Sequence, residues 1–285
     1  MSETVYLNGE FVPLSAAKVS VLDRGFMLGD GVYEIMPAYS RTLFRLKEHL
    51  ARLRYSLGSV RISDPYDTAR WTELLQAVVD RNPWLDQTVY LQVSRGVAPR
   101  DHVFPSPAVA PTVLIMSSEL RGPTDEQRQA GFKVITREDF RWLRCDIKTT
   151  SLIANCLLRQ EAAEADCAEV ILLRNGKVTE ASSSNVFIVK NDVIIAPPKD
   201  NLILPGITYD LVFELAKADG LPFEVREISV AELYAADEIW LSSSIREVVP
   251  VTMVDGMPIG EGVPGPVYAK VYKLYQSYKG RIGHG

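Results

Sequence analysis

The chain has 285 residues, 47% of them hydrophobic, with 36 acidic and 31 basic side chains and a net charge of -5; this is enough apolar material for a sizeable core and favours two domains over one. No Lys/Arg run exceeds two residues and nowhere do 18 apolar residues run together, which excludes a basic nucleic-acid footprint and a membrane-spanning helix and makes a cytoplasmic protein the expectation. Three cysteines (Cys145, Cys156, Cys167) without a C-x-x-C, and three histidines (His49, His102, His284) without an H-E-x-x-H, argue against a disulfide framework and a catalytic metal, and the thiols are expected to be reduced and mostly packed.

In chain order, Asn8-Gly9 between strand-like segments predicts a type I′ hairpin, and alternation predicts a strand over 32–39. Apolar residues at helical spacing predict helices over 46–57 and 68–79, followed by strands over 89–95 and 113–117. The polar stretch 118–127 is the best linker candidate. Beyond it come a strand over 134–137, a helix over 152–165, strands over 170–173 and 186–189 around an Asn175-Gly176 hairpin, and a helix over 209–218. A strand over 239–242, an Asp255-Gly256 hairpin and a helix over 267–278 complete the chain. Most neighbouring strands are joined too closely for a helical crossover, so the class is α+β with antiparallel pairing. The domains divide into a smaller N-terminal one over 1–120, a linker over 121–127 and a larger C-terminal one over 128–285 that carries Lys148.

Lys148 is the most informative residue. Flanked by Ile147 and Leu152, it is expected to be partly buried with a depressed amine pKa, a nucleophile able to hold an aldehyde as a Schiff base. Glu180, in Glu180-Ala-Ser-Ser-Ser-Asn185, follows at the distance of one helix and one hairpin, and a carboxylate there suits the protonated nitrogen of a pyridine ring. Gly206, Ile207 and Thr208 open a helix after a glycine turn, where free amides receive a phosphate; the alternative is an ordinary helix start with Thr208 as N-cap. Arg100 and His102 stand at i, i+2 spacing in a Pro-bounded loop, either as donors to a carboxylate or as ordinary exposed side chains.

Five segments resemble the fold-type IV pyridoxal-phosphate enzymes: Asp23-Arg-Gly-Phe-Met-Leu-Gly-Asp-Gly-Val-Tyr-Glu34, Pro99-Arg-Asp-His-Val-Phe-Pro105, Arg141-Trp-Leu-Arg-Cys-Asp-Ile-Lys148, the run from Asn175 to Asn185, and Leu204-Pro-Gly-Ile-Thr208. The family includes branched-chain aminotransferases, aminodeoxychorismate lyases and D-amino-acid transaminases. The resemblance implies pyridoxal 5'-phosphate as cofactor, Lys148 as Schiff-base lysine, Glu180 at the ring nitrogen, and Arg52 with Ser243 and Ser244 at the phosphate. It also implies a homodimer with the cofactor in a cleft between domains. The Arg-x-His loop, with Tyr33, resembles the carboxylate-binding set of the D-amino-acid transaminases, which implies transamination between D-alanine or D-glutamate and an α-keto acid. The alternatives are a branched-chain L-amino-acid aminotransferase and an aminodeoxychorismate lyase. One departure from the pattern is Ile245-Arg246 after Ser244: Arg246 either binds a second carboxylate or pairs with Glu247 or Glu238.

Overall fold

The computed structural model describes residues 3–282, so His284 lies outside the described residues, and the chain divides into two compact units. The first takes in the chain up to Arg121 together with Ile147–Leu152. Its elements are β1 (Thr4–Leu7), β2 (Glu10–Pro13), α1 (Arg24–Leu28), β3 (Gly31–Tyr39), β4 (Thr42–Leu43), α2 (Leu46–Ser59), α3 (Thr68–Arg81), β5 (Gln87–Ser94) and β6 (Thr112–Glu119). The strands form an antiparallel sheet in the order β2-β1-β6-β5-β3-β4. Asn8 and Gly9 turn between β1 and β2 with φ of 49° and 107°, the positive values a type I′ turn demands.

Period-two alternation separates the faces of this sheet. Val32 and Met36 of β3, with Val89, Leu91 and Val93 of β5, join Leu50 and Leu53 of α2 and Trp71 and Leu75 of α3 in one buried cluster. Each such side chain contributes about 1.5–3 kcal/mol of apolar burial. Tyr33, Ile35, Tyr90 and Gln92 point to the opposite, half-buried face.

The second unit comprises Gly122–Asp146 and Ile153–Arg281. It contains α4 (Asp125–Ala130), β7 (Phe132–Glu138), α5 (Ile153–Glu164), β8 (Glu169–Arg174), β9 (Lys177–Ala181), β10 (Asn185–Lys190), β11 (Val193–Ala196), α6 (Ile207–Ala218), β12 (Phe223–Val225), α7 (Val230–Tyr234), β13 (Glu238–Ser243), β14 (Glu247–Val254), β15 (Met257–Pro258) and α8 (Pro266–Lys279). The strands form a sheet in the order β12-β11-β10-β13-β14-β7-β8-β9, with β15 paired to β14. Asn175-Gly176 and Asp255-Gly256 turn their hairpins with positive φ throughout, as the sequence leads one to expect.

Three expectations need correcting. Pairing is not antiparallel throughout, because β7 runs parallel to β8 and to β14, and β11 parallel to β12; the long connection through α5 gives β7 and β8 the crossover that parallel neighbours require. The stretch expected as a linker over 121–127 contains the start of α4, nucleated by a capping box in which Thr124 Oγ1 accepts from Gln127 N–H and Gln127 Oε1 accepts from Thr124 N–H. Finally, Lys148 packs with the N-terminal unit and not, as expected, with the C-terminal one. Ile147 belongs to the N-terminal core cluster, Thr149 bridges to Val32, and Thr150 N–H donates to Gly31 O at 3.0 Å.

Candidate active site

In the N-terminal unit the lysine segment lies along the start of β3. Tyr33 N–H donates to Lys148 O at 3.0 Å and Lys148 N–H donates to Ser56 Oγ at 3.2 Å. Lys148 is half-buried, and its Nζ stands 4.2 Å from the centroid of the Tyr33 ring. Tyr33 in turn stacks on Tyr90, with centroids 5.7 Å apart. Two of the residues singled out from the sequence are thus brought together.

Behind β3, Glu34 points into the core. Arg52 donates to it through Nε and Nη2, both at 2.8 Å, and His49 Nδ1 lies 2.8 Å from its Oε2. Arg52 is therefore buried on the core side of α2, whereas Lys47 and Arg54 of the same helix face solvent. Glu34 escaped the sequence reading, although an acid in phase with Val32 and Met36, opposite a His and Arg at i, i+3, is a recognisable signature of a buried ion pair. Burial alone would raise the Glu34 carboxyl, but Arg52 and His49 outweigh it and bring it down to about 2 from 4.5. A depressed carboxyl stabilises the fold above its unfolded value and loses that contribution as pH falls toward the folded one. Unfolding free energy is expected to drop by on the order of 3 kcal/mol between pH 4.5 and 2 through this group. Denaturant titrations of wild type and Glu34→Gln across that window check it, since the variant should lose this part of the slope.

Arg100 and His102 are both exposed, in the connection from β5 to β6. Among the described residues neither makes a hydrogen bond or ion pair with Tyr33.

In the C-terminal unit Glu180 ends up buried on β9. Its Oε1 accepts from Arg141 Nη1 at 2.6 Å; its Oε2 accepts from Leu204 N–H at 3.0 Å and Asn185 Nδ2 at 3.3 Å. Arg141 is shared, donating to Asp139 through Nε and Nη2 at 2.9 Å each. Burial pushes the Glu180 carboxyl up to about 7 from 4.5, and Arg141, divided between two acids, does not offset it. Arg141, Asp139 and Asn185 were not singled out as site residues. Their signal is tertiary, since Arg141 and Glu180 are 39 positions apart.

The same network fixes the start of α6. Asn185 Nδ2 donates to Leu204 O at 2.9 Å, next to the Pro205-Gly206 turn. The N-cap is Gly206, not Thr208, and no side chain caps the helix, so the first-turn amides of Ile207 and Thr208 lack the usual in-chain acceptor. Any side chain at 206 would collide with Asn185. Ser243 and Ser244 lie in the half-buried bend from β13 to β14, where Ser243 Oγ accepts from Arg246 N–H at 3.2 Å. Arg246 pairs with neither Glu247 nor Glu238: its guanidinium lies 3.5 Å from Glu169 and donates to Ala168 O at 3.3 Å. Glu247 is instead held by Arg128 and Lys279, and Glu238 by the first-turn amides of α8. Among the thiols Cys145 is buried as expected, while Cys156 is exposed. No group of metal-ligating side chains and no helix long and apolar enough to cross a membrane occurs among the described residues.

Comparison with known proteins matches residues 31–254 to the family described as amino-transferase class IV. The chain is 41% identical over 273 residues to a D-alanine aminotransferase of Bacillus licheniformis, covering 96% of both chains. It is 38% identical over 276 residues to a D-alanine aminotransferase of Staphylococcus aureus strain N315, covering 97% of this chain and 98% of that one. Among solved structures, a T.th. branched-chain amino acid aminotransferase with pyridoxamine 5'-phosphate superimposes with a TM-score of 0.91 at 30% identity, covering 100% of this chain and 96% of that one.

Proposed function

The chain belongs to the class IV amino-transferases, pyridoxal-phosphate-dependent enzymes, and from that premise we propose that it transfers the amino group of a D-amino acid, D-alanine or D-glutamate, to an α-keto acid. The observation that carries the substrate class is the 38–41% identity, over nearly the whole chain, to D-alanine aminotransferases. The Arg100-x-His102 pair supports it. The likeness to branched-chain enzymes favours a second reading, an L-specific one, at the lower identity of 30%.

The residues present fit pyridoxal phosphate. A helix start without a side-chain cap suits its phosphate, and a buried carboxylate raised to about 7 is one that a cationic ring nitrogen would relieve. When bound, the cofactor supplies an aldehyde for the substrate amine and an electron-withdrawing ring. Lys148 would hold that aldehyde and would take up and return the proton at the substrate Cα. Glu180 would keep the ring nitrogen protonated. The amides of Gly206, Ile207 and Thr208 would receive the phosphate, with Arg52, Ser243 and Ser244 as further partners. Tyr33, Arg100 and His102 hold the substrate carboxylate. With the carboxylate fixed, only one enantiomer turns its Cα hydrogen toward Lys148.

Steady-state kinetics test this reading. The wild type is expected to prefer D- to L-alanine, and Arg100→Ala to lose about 2 kcal/mol of transition-state binding for D-alanine, tens-fold in kcat/KM, with its cofactor absorbance intact. Preference for L-alanine or L-leucine would move the chain to the branched-chain reading. Pyruvate release from aminodeoxychorismate without a keto-acid acceptor would instead make it a lyase.

We place the enzyme in the cytoplasm, a reducing compartment that suits its three free cysteines. It acts there as a homodimer. Val21, Phe26 and Val103 of the N-terminal unit are each 72% exposed, apolar surface that a second copy could cover.

A further inference from the structure

The loop that carries Arg100 and His102 is gripped by a side chain outside it. Arg24, the first residue of α1, is 3% exposed, and its Nε donates to Asp30 Oδ2 at 2.8 Å. Its Nη1 donates to the carbonyls of Asp101 at 2.6 Å and Val103 at 3.4 Å. These carbonyls lie on either side of His102, and Arg100 directly precedes the first of them. The root of the loop is fixed by backbone bonds from Arg24 N–H to Gly96 O at 2.9 Å and from Ala98 N–H to Leu22 O at 3.2 Å.

Arg95 closes the network. It donates to both oxygens of Asp30, at 2.7 and 2.9 Å, and its guanidinium lies 3.6 Å from the centroid of Phe104 farther along the same loop. One carboxylate thus faces two buried guanidinium groups. The excess positive charge turns to carbonyl oxygens: Asp101 and Val103 for Arg24, Val60 and Arg61 for Arg95. A planar fork spreads its donors between Asp30 on one side and the loop carbonyls on the other, a span that the three donors of a lysine, all on one nitrogen, cover less well.

Resting on the reading of Arg100 and His102 as the carboxylate-binding pair, we propose that Arg24 is a positioning residue for substrate recognition, holding that pair in place through the backbone on both sides of His102. Arg24 is itself buried and acts only through the loop backbone. Its loss leaves Asp30 paired to Arg95, so the surrounding fold keeps its charge balance.

The test compares Arg24→Ala, Arg24→Lys, Arg100→Ala and the double variant Arg24→Ala/Arg100→Ala as cofactor-loaded proteins. KM and kcat for D-alanine are measured with the visible absorbance and with hydrogen–deuterium exchange of the 97–105 peptide. Arg24→Ala is expected to raise KM about tenfold while kcat stays within about threefold and absorbance is unchanged, the pattern of a lost binding contact. Exchange in 97–105 should quicken, and the double variant should be little worse than Arg100→Ala alone, because both changes disable the same contact. Arg24→Lys should fall between wild type and Arg24→Ala in KM and exchange.

Fully additive effects of the two substitutions, or unchanged KM and exchange in Arg24→Ala, would overturn the proposal. Should Arg24→Ala fail to fold, wild-type KM and exchange in Arg24→Lys would do the same. A silent Arg100→Ala would overturn the carboxylate-binding reading and the positioning role with it. Loop exchange, which needs no substrate, tells that outcome apart from a failed brace.

Discussion

Lys148→Ala is expected to abolish turnover and the visible absorption of the cofactor-loaded protein while leaving the fold intact. The separation of these effects follows from how the residue is held. Its backbone bonds to Tyr33 and Ser56 do not involve the side chain, which is only half-buried and rests its amine on the Tyr33 ring. Truncation therefore removes little packing, and thermal melting should move by no more than a surface substitution does. On the function proposed above, chemistry loses both the amine that would hold the aldehyde and the base that would move the Cα proton. The second role alone is worth up to about 10⁴-fold in rate. Single-turnover kinetics with D-alanine and an absorbance spectrum check the prediction, and a variant with wild-type turnover would remove Lys148 from the chemistry.

Glu180→Gln is expected to bind cofactor and to turn over substrate roughly 10²- to 10³-fold more slowly, the scale of losing one preorganised electrostatic partner of the reacting system. The amide oxygen keeps only one of the two donors, Arg141 or the Leu204 N–H, but Arg141 stays paired to Asp139 and Asn185 still donates to Leu204 O, so the start of α6 should hold. What disappears is the negative charge proposed to keep the ring nitrogen protonated. A second signature lies in the cofactor-free protein. Glu180 is raised from 4.5 to about 7, so between those values the folded state binds more protons than the unfolded one and stability falls as pH rises. The fall attributable to this group is on the order of 3 kcal/mol and should be missing in Glu180→Gln. Unfolding titrations of both proteins from pH 4.5 to 7, together with kcat at fixed pH, decide it; equal kcat would refute the role.

What the sequence discloses here is mostly local. The Asn-Gly and Asp-Gly turns and the alternation that predicts a strand over 32–39 are short-range patterns, and they recur in the fold at those positions. The helix after the Pro205-Gly206 turn was legible for the same reason, although it begins at Ile207, two residues before the expected 209, with Gly206 and not Thr208 as its cap. Long-range pairing was not legible. Arg246 finds Glu169 at a separation of 77 residues, when acids adjacent in sequence looked the natural partners. Arg52 shares a helix with solvent-facing cations, and only β3, folded against that helix, reveals Glu34 as its counter-charge. Arg141 is another such case. Its partner Glu180 was read for its own chemistry, without the arginine that balances it.

The return of Ile147–Leu152 to the N-terminal unit bears on how the chain matures. During synthesis, the polypeptide up to Arg121 emerges with every strand of its sheet but without Ile147 for its core or Thr149 to bridge Val32. Those contacts become available only after α4 and β7, which belong to the other unit, have been made. The N-terminal core thus gains its last contacts only after the ribosome has passed Lys148, and those contacts span more than 100 residues, the kind of long loop that slows folding. Completion of that core and arrival of Lys148 are a single event in the life of the nascent chain.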